Sequence, residues 1–287
     1  MKICVVGLGL IGGSVCLSLR RAGMTADGSD RNENAVDYAI KRGIIGREAK
    51  DLGEYDLLIV ALPPDATKRF LRNAPVKDGA IVMDVCGVKK PLEEAYLSSK
   101  RNFRYVGTHP MAGRESSGIE NACEELFDGA SLVVTKNEKT DQAAFDTVAK
   151  LAKRMGFSRI VECSAKVHDR KIAYTSQLAH VVSNCYVNDE EIEGCFGFTG
   201  GSFQDMTRIA GVDESMWASL YLENADNLEE KVKRLYNCLG GFLGALKEAK
   251  ASGDEGTLRE FLRTGAETFR AGRDCKFVGG EIKVTEL

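Results

Sequence analysis

The chain has 287 residues, of which 44% are apolar and 28% are charged. A chain of this length predicts about two domains and buries enough apolar surface to fold without disulfides or a structural metal. Its 39 Lys and Arg against 42 Asp and Glu give a net charge of −3, which argues against a nucleic-acid partner, and the lack of an apolar run of about 18 residues argues against a membrane span.

Residues 1–165 alternate between short β-rich runs and helical stretches. The runs cover residues 2–6, 25–29, 56–62, 80–85, 104–108, 131–135 and 159–163, and the helical stretches lie near 10–22, 32–42, 64–73, 91–100 and 142–155. Runs such as 2–6 and 56–62 are almost continuously apolar, as expected for strands that are buried on both faces. This pattern predicts an α/β domain over residues 1–165 with a doubly wound, mostly parallel sheet.

The apolar pattern changes after residue 165, where the β-rich runs stop. Helices are predicted over 166–187, 215–251 and 256–273, and the glycine-rich segment 193–202 separates the first two. Residues 166–287 are therefore predicted to form a second domain that is entirely helical.

The longest predicted helix carries a narrow apolar seam. Its members recur at spacings of 4, 3, 4, 3 and 4 residues, at Leu228, Val232, Leu235, Leu239, Phe242 and Leu246. Such a seam packs one helix along another, either within one chain or between two subunits. Gly240 and Gly241 would allow a close approach there at some cost to helix stability. We expect a homodimer that forms through this domain.

A glycine-rich turn joins the first predicted strand to the first helix, with the sequence Gly7-Leu8-Gly9-Leu10-Ile11-Gly12. Gly7 allows the tight turn, Gly9 lets the backbone approach a pyrophosphate, and Gly12 lets the helix pack on the strand. The N-terminus of the helix then offers free N–H groups and a positive dipole end to the phosphates. The strand–turn–helix context predicts a Rossmann-type dinucleotide site that uses all six residues of the turn.

Asp30 supplies further context, since it follows the next strand 18 residues after Gly12, as in dinucleotide-binding units. A carboxylate at that position accepts hydrogen bonds from ribose hydroxyls and repels a 2′-phosphate, which favours NAD. Arg31 beside it could hold a 2′-phosphate, which leaves NADP open. The alternative is a structural turn in which Asp30 caps the helix that begins near residue 32.

The cysteines indicate the compartment. There are nine of them, they are scattered along the chain without a C-x-x-C pair, and no metal site is predicted. The N-terminus runs from Met1 directly into the first strand, without the basic and small-residue features of a signal peptide. The reducing cytoplasm is the simplest compartment for such a chain.

The chain has three histidines. His109 follows the run 104–108, and because ligands of an open parallel sheet bind outside the carboxyl ends of its strands, we expect His109 to lie in the site. His168 and His180 both lie on the predicted helix 166–187, about 120° apart around its axis, so they do not point the same way. Each of these two could instead be a surface or helix-cap residue.

Arg208 and Trp217 follow the glycine-rich segment of the second domain. Arg208 could bind a substrate carboxylate through its fork of N–H donors, or it could pair with Asp205 as plain structure. Trp217, the single Trp of the chain, is either a core residue or a wall of the pocket.

Several blocks together resemble the prephenate/arogenate dehydrogenase family of tyrosine biosynthesis. They are the glycine-rich turn, the stretch Gly-Thr-His-Pro-Met-Ala-Gly at 107–113 with its continuation to 117–118 and 120–122, the stretch Thr-Ser-Gln-Leu-Ala-His at 175–180, and residues 200–210. The resemblance covers nearly the whole chain in the same order and spacing. The His-Pro-Met-Ala-Gly and Thr-Arg-Ile-Ala blocks are specific to this family.

The resemblance implies an NAD(P)-dependent oxidative decarboxylation of a cyclohexadienol. It implies that His109 accepts the proton of the ring hydroxyl, a role that a neutral imidazole can fill near neutral pH. It also implies that Arg208 binds a substrate carboxylate, that His180 holds the side-chain end of the substrate, and that Trp217 reaches the site from the partner subunit of a homodimer. We further count Gly201 and His168 among the substrate-binding candidates.

One position departs from the pattern of the family. Members often carry Gly-Ser-Val-Lys after the strand that matches residues 80–85, and the serine hydroxyl supports the catalytic histidine. Here the stretch reads Cys-Gly-Val-Lys, so Gly87 stands in the place of the serine. Either support for His109 would then come from a water, from Cys86 or from Thr108, or the histidine would be less well oriented.

The favoured reaction converts prephenate to 4-hydroxyphenylpyruvate, and arogenate, with an amino group in place of the keto group, is the alternative substrate. A β-hydroxyacid dehydrogenase would share the two-domain layout and could use Lys171, but it leaves the block around His109 unexplained. A catalytically silent NAD-binding sensor is the alternative from another class. Because the sequence shows neither a fused mutase nor a regulatory domain, we expect a monofunctional enzyme.

Overall fold

The computed structural model describes residues 1–195, 197–274 and 281–287. Within them the strands are β1 (Ile3–Val6), β2 (Ala26–Ser29), β3 (Leu57–Val60), β4 (Ile81–Asp84), β5 (Arg104–Pro110), β6 (Ser131–Thr135), β7 (Arg159–Cys163) and β8 (Lys283–Glu286). They form one sheet in the order β2-β1-β3-β4-β5-β6-β7-β8. Strands β1 to β5 are parallel, β6 is antiparallel to β5, and β7 is parallel to β6. The prediction of a mostly parallel sheet is confirmed.

Strand β8 lies outside the predicted set, so the prediction that strands stop near residue 165 is wrong. It pairs antiparallel with β7, and an ion pair between Lys283 and Glu162 joins the two strands. Four residues with one apolar side chain, Val284, give too little alternation to predict a strand. The unpaired edge of β7, which offers free backbone donors and acceptors, orders this segment.

The helices of the described chain are α1 (Leu10–Arg21), α2 (Glu33–Lys41), α3 (Pro64–Asn73), α4 (Lys90–Leu97), α5 (Gln142–Arg154), α6 (Ala165–Ile172), α7 (Leu178–Val187), α8 (Gly201–Thr207), α9 (Glu214–Glu223), α10 (Ala225–Ser252) and α11 (Gly256–Asp274). Helices α1 to α5 match the five predicted in the first domain. The predicted helix 166–187 is divided into α6 and α7 by a π-helical turn, Ala173–Gln177, and the predicted helix 215–251 is divided into α9 and α10.

The core lies on both faces of the sheet, because helices cover both. Leu57 and Ile59 of β3 contribute to one apolar cluster, whereas Leu58 and Val60 contribute to the cluster on the opposite face. All four side chains are fully buried. This explains why β1 and β3 are continuously apolar rather than alternating, as parallel strands covered on both sides require.

The helical domain leaves part of its apolar surface exposed. Leu228 of the seam is buried, but Leu239 is 56% exposed and the adjacent Tyr236 is 75% exposed. Phe242 packs against Phe261 of α11, with ring centroids 5.6 Å apart. The seam therefore packs partly within the chain and partly faces outward. Among the described residues, no helix is both long and apolar enough to cross a membrane.

Candidate active site

The glycine-rich turn has the close contacts that its sequence predicts. Gly7 has φ +96°, a conformation that favours glycine, and a Cβ at this position would overlap Ala61 O. A Cβ on Gly12 would overlap Gly7 O, so Gly12 lets α1 start directly against the turn. By contrast, none of the described residues comes within 4 Å of a Cβ built on Gly9. Gly7 and Gly12 are therefore required by the close packing of the turn, whereas the space beside Gly9 is open.

Helix α1 begins at this open space with its backbone N–H groups uncapped. Gly9 is the N-cap, and in the described structure no side chain caps the helix. The first N–H groups of a helix lack intrahelical partners, so the amides of Leu10 and Ile11 point out of the helix end. Leu8 differs, because its N–H donates to Asp30 Oδ2 (2.6 Å) and its side chain is buried. Leu8 thus shapes the turn.

Asp30 lies just beyond β2 and is tied to its neighbours by backbone donors. Its Oδ1 accepts a hydrogen bond from Asn32 N (2.8 Å). Asn32 rather than Asp30 caps α2, because Asn32 Oδ1 accepts from Asn34 N (3.1 Å). The alternative of Asp30 as the helix cap is therefore wrong. Asp30 is half-buried and Arg31 is exposed, which leaves both beside the turn.

The glycine-rich turn and His109 lie along the same edge of the sheet. The chain runs from β1 to β2 on one side and to β3 on the other, so the topological switch point lies between β1 and β3, where open α/β sheets bind ligands. Val6, Val60 and Asp84 are aligned by the register of the parallel strands, and His109 lies near the carboxyl end of β5. Strands β3 and β4 lie between the switch point and His109.

His109 contacts a second histidine from the helical domain. His109 Nδ1 is 2.9 Å from His168 Nε2, and His168 Nδ1 is 2.6 Å from Asp169 Oδ1. Both ring nitrogens of His168 are thus occupied, and the residue is 2% exposed. The prediction that His168 contacts substrate is corrected: it supports His109 from behind. His109 Nε2 is the ring nitrogen left for a ligand.

Burial makes the neutral form of both imidazoles favourable. Burial lowers the pKa of His109 well below its ordinary value, and the charges of His168 and Lys89 act in the same direction. Burial also lowers the pKa of His168, although the hydrogen bond to Asp169 opposes the change. A neutral imidazole at neutral pH is the form that can accept a proton.

A buried ion pair lies next to His109. Lys89 Nζ pairs with Asp84 Oδ2, and both side chains are fully buried. Tyr105 Oη donates to Asp84 Oδ1 (2.7 Å) and Cys86 N donates to Asp84 Oδ2 (2.9 Å). Charges buried in this way are tolerable only when paired and hydrogen-bonded. The cluster fixes the end of β4 beside the site.

Gly87 faces the free side of His109. A Cβ on Gly87 would lie 3.8 Å from His109 Nε2 and 3.3 Å from Leu220 Cδ2. Thr108 Oγ1 instead donates to Asp84 O, and Cys86 is held through its amide as described above. The expectation that Cys86 or Thr108 supports His109 is therefore wrong, since the contact comes from His168.

His180 and Trp217 come together within one chain. Their rings lie 3.8 Å apart at an interplanar angle of 30°, and His180 Nδ1 donates to Ser176 O (3.0 Å). Ser176 belongs to the π-helical turn, a feature often found at functional sites. Trp217 thus reaches His180 without a partner subunit, which corrects that expectation. His180 Nε2 is left for a ligand.

Arg208 pairs with Glu115, which lies in the segment after β5. The alternative pairing with Asp205 is therefore wrong. Arg208 is exposed, with 62% of its side chain accessible, so its guanidinium retains donors for a carboxylate. Gly201 begins α8, and no described residue lies within 4 Å of a Cβ built there.

Sequence reasoning missed three residues of the site: Asp169, Lys89 and Glu115. The His-Asp doublet at 168–169 was a usable signal for the first, because a carboxylate often orients an imidazole. Lys89 is the lysine of the Gly-Ser-Val-Lys pattern, which was a usable signal for it. Glu115 gave none, because its pairing with Arg208 arises only from the tertiary fold. Lys171, the alternative catalytic lysine, is exposed on α6.

Two family models match the chain. The model for the prephenate dehydrogenase nucleotide-binding domain matches residues 15–161, and the model for the prephenate dehydrogenase dimerization domain matches residues 164–264. A prephenate dehydrogenase of Lactococcus lactis is 30% identical over 94% of this chain and 77% of its own length. A prephenate dehydrogenase of Bacillus subtilis is 30% identical over 80% of this chain and 66% of its own length.

Solved structures show the same relationship. A prephenate dehydrogenase from A. aeolicus, in complex with hydroxyphenyl propionate and NAD+, matches with a TM-score of 0.80 and 28% identity, over 96% of this chain and 99% of that one. The arogenate dehydrogenase of Synechocystis matches with a TM-score of 0.72 and 24% identity, over 94% of this chain and 100% of that one. The second likeness is one of fold.

Proposed function

The chain belongs to the prephenate dehydrogenase family, and from that premise we propose that it oxidises and decarboxylates prephenate to 4-hydroxyphenylpyruvate with NAD as hydride acceptor. The observation that carries the proposal is His109: a half-buried imidazole at the carboxyl edge of the sheet, with a lowered pKa, Nδ1 engaged and Nε2 free. That edge also carries the glycine-rich turn. The proposed base and the proposed dinucleotide site thus lie along one edge of the sheet.

The turn fits a dinucleotide. The space beside Gly9 and the uncapped start of α1 would receive the pyrophosphate, because a helix N-terminus favours negative charge. Asp30 would accept hydrogen bonds from the adenine-side ribose, and its charge favours NAD over NADP. Bound NAD supplies the hydride acceptor for the reaction.

His109 performs the proton transfer in this proposal. Its Nε2 accepts a hydrogen bond from the ring hydroxyl of prephenate. It takes the hydroxyl proton as the ring carbon that bears the hydroxyl gives up its hydride. The bond to the ring carboxylate then breaks, CO2 leaves, and the bonding electrons make the ring aromatic. The phenolate oxygen regains one proton, so His109 ends neutral. Aromatisation provides most of the driving force, and the protein mainly positions the reactants.

The carboxylates of prephenate are assigned to the exposed cations of the cleft. Arg208 would bind one of them through charge-assisted hydrogen bonds, and Gly201 at the start of α8 leaves room nearby. His180, held by Ser176 and packed against Trp217, would hold the side-chain end of the substrate. Of the two ring nitrogens of His180, Nε2 is the one without a hydrogen bond in the described structure.

We propose a homodimer in the cytoplasm. The match of residues 164–264 to a dimerization domain and the exposed apolar residues Tyr236 and Leu239 support the dimer, since large apolar patches mark interaction sites. The eight described cysteines are free thiols, as a reducing compartment would leave them. Neither nucleic acid nor membrane has a role in the proposed activity.

The test is NADH formation by the purified protein, followed with prephenate and arogenate and with NAD and NADP. We expect turnover with prephenate and NAD. Turnover with arogenate but not with prephenate would make arogenate the substrate. Binding of NAD without turnover of either compound would favour a catalytically silent NAD-binding sensor and would contradict the proposal.

A further inference from the structure

The contacts behind His109 allow its protons to be placed. Asp169 is a carboxylate, so its Oδ1 can only accept, and His168 Nδ1 at 2.6 Å must therefore donate. A neutral His168 then has its lone pair on Nε2. Because that lone pair can only accept, His109 Nδ1 at 2.9 Å must donate to it. The proton count leaves the lone pair of His109 on Nε2.

We propose that Asp169 and His168 are positioning residues that hold His109 in the tautomer with its proton on Nδ1 and its lone pair on Nε2. This deepens the proposed function and rests on it, since Nε2 is the atom that would take the proton of the substrate. The arrangement resembles the role of the aspartate in a Ser-His-Asp triad, which fixes a tautomer without taking the proton. Here a second imidazole lies between carboxylate and base.

The hydrogen-bonded array Asp169–His168–His109 ends in a carboxylate that is itself fixed. Asp169 Oδ1 also accepts from Lys89 N (2.8 Å) and Oδ2 accepts from Lys90 N (2.9 Å), at the start of α4. Asn224 Nδ2 donates to the carbonyl of Asp169 (2.9 Å). Asp169 and His168 are each 2% exposed, so water does not compete for these contacts. The array therefore has one satisfied arrangement of donors.

No other described group competes for the orientation of His109. The ammonium of Lys89 is paired with Asp84, and Gly87 brings no hydroxyl to the side of Nε2. The array also crosses the domains, since His109 lies on β5 and His168 on α6. The base is therefore set in its reactive tautomer only while α6 stays against β5.

The direct test is the tautomer itself, read from ¹⁵N chemical shifts of the histidine rings in the protein without substrate. With three histidines in the chain, the spectra of His109→Asn and His180→Gln assign all of them. We expect a protonated Nδ1 and an unprotonated Nε2 on His109. A proton on Nε2, or an equal mixture of tautomers, would overturn the proposal, whether or not the protein turns over prephenate.

A kinetic pair separates positioning from packing. His168→Phe keeps a buried ring but removes the acceptor, and we expect kcat to fall about 10²-fold while the KM for prephenate and for NAD changes little. His168→Gln returns an acceptor to His109 and a donor to Asp169, and we expect it to recover most of the loss and to restore the Nδ1-protonated signal. Equal activity of the Phe and Gln variants, at equal melting temperature, would show that His168 only fills space.

Discussion

The two sides of the proposed cleft are built by different means. On the cofactor side, the site is made of backbone: Gly7 and Gly12 close the turn, and the end of α1 offers amides. On the substrate side, it is made of side chains such as His109 and Arg208 that come from different domains. A backbone site needs only local sequence, whereas a side-chain site needs the whole tertiary fold.

The largest effect is expected where the substrate side carries the chemistry. His109→Asn removes the base but keeps a side chain of similar polarity, so we expect kcat to fall by about 10²–10⁴-fold with the KM for NAD unchanged. NADH formation under saturating substrate measures the loss. Near-full turnover of the variant would remove His109 from the mechanism.

A second variant tests whether the substrate side binds as well as reacts. Arg208→Ala removes a charge-assisted contact to a carboxylate, which predicts a rise in the KM for prephenate of roughly 10- to 10²-fold. Because the pair with Glu115 is exposed, little stability should be lost. Glu115→Gln is the matched control, since it breaks the same pair and keeps the arginine. An unchanged KM in Arg208→Ala would make Arg208 structural.

A pair of glycine variants tests the cofactor side. Gly9→Ala places a methyl group in open space, so we expect a normal melting temperature and a KM for NAD that rises about tenfold, because the methyl group takes room meant for phosphate. Gly12→Ala, whose Cβ would overlap Gly7 O, should instead lower the melting temperature. If Gly9→Ala bound NAD normally, the open space would not be the phosphate site.

The smallest effect concerns pH. Burial holds the pKa of His109 well below its ordinary value, so the folded protein binds fewer protons there than the unfolded chain, and stability contributed by this residue falls as pH drops below about 6.5. We expect the melting temperature of His109→Asn to decline less than that of the wild type between neutral and acidic pH. Parallel declines in the melting temperatures of the two proteins would contradict a neutral His109 in the folded state.

This contrast also explains what could be predicted from the sequence. The seven strands of the first domain and the glycine-rich turn follow from local pattern, and His109 follows from its position after a strand. The contact of His109 with His168 could not be predicted, because it joins residues 59 positions apart. The contact of Trp217 with His180 depends likewise on how α9 packs near α7.

Strand β8 has a consequence for the connection between the domains. Strands β7 and β8 are adjacent at one edge of the sheet. The helical domain is therefore inserted in the sequence between two neighbouring strands. Arg170 of α6 pairs with Glu281 just before β8. This ion pair holds the helix that follows β7 beside the residues that precede β8. The edge of the nucleotide-binding sheet at β7 is therefore covered by residues from the far end of the chain, which anchor the last described segment to the first domain.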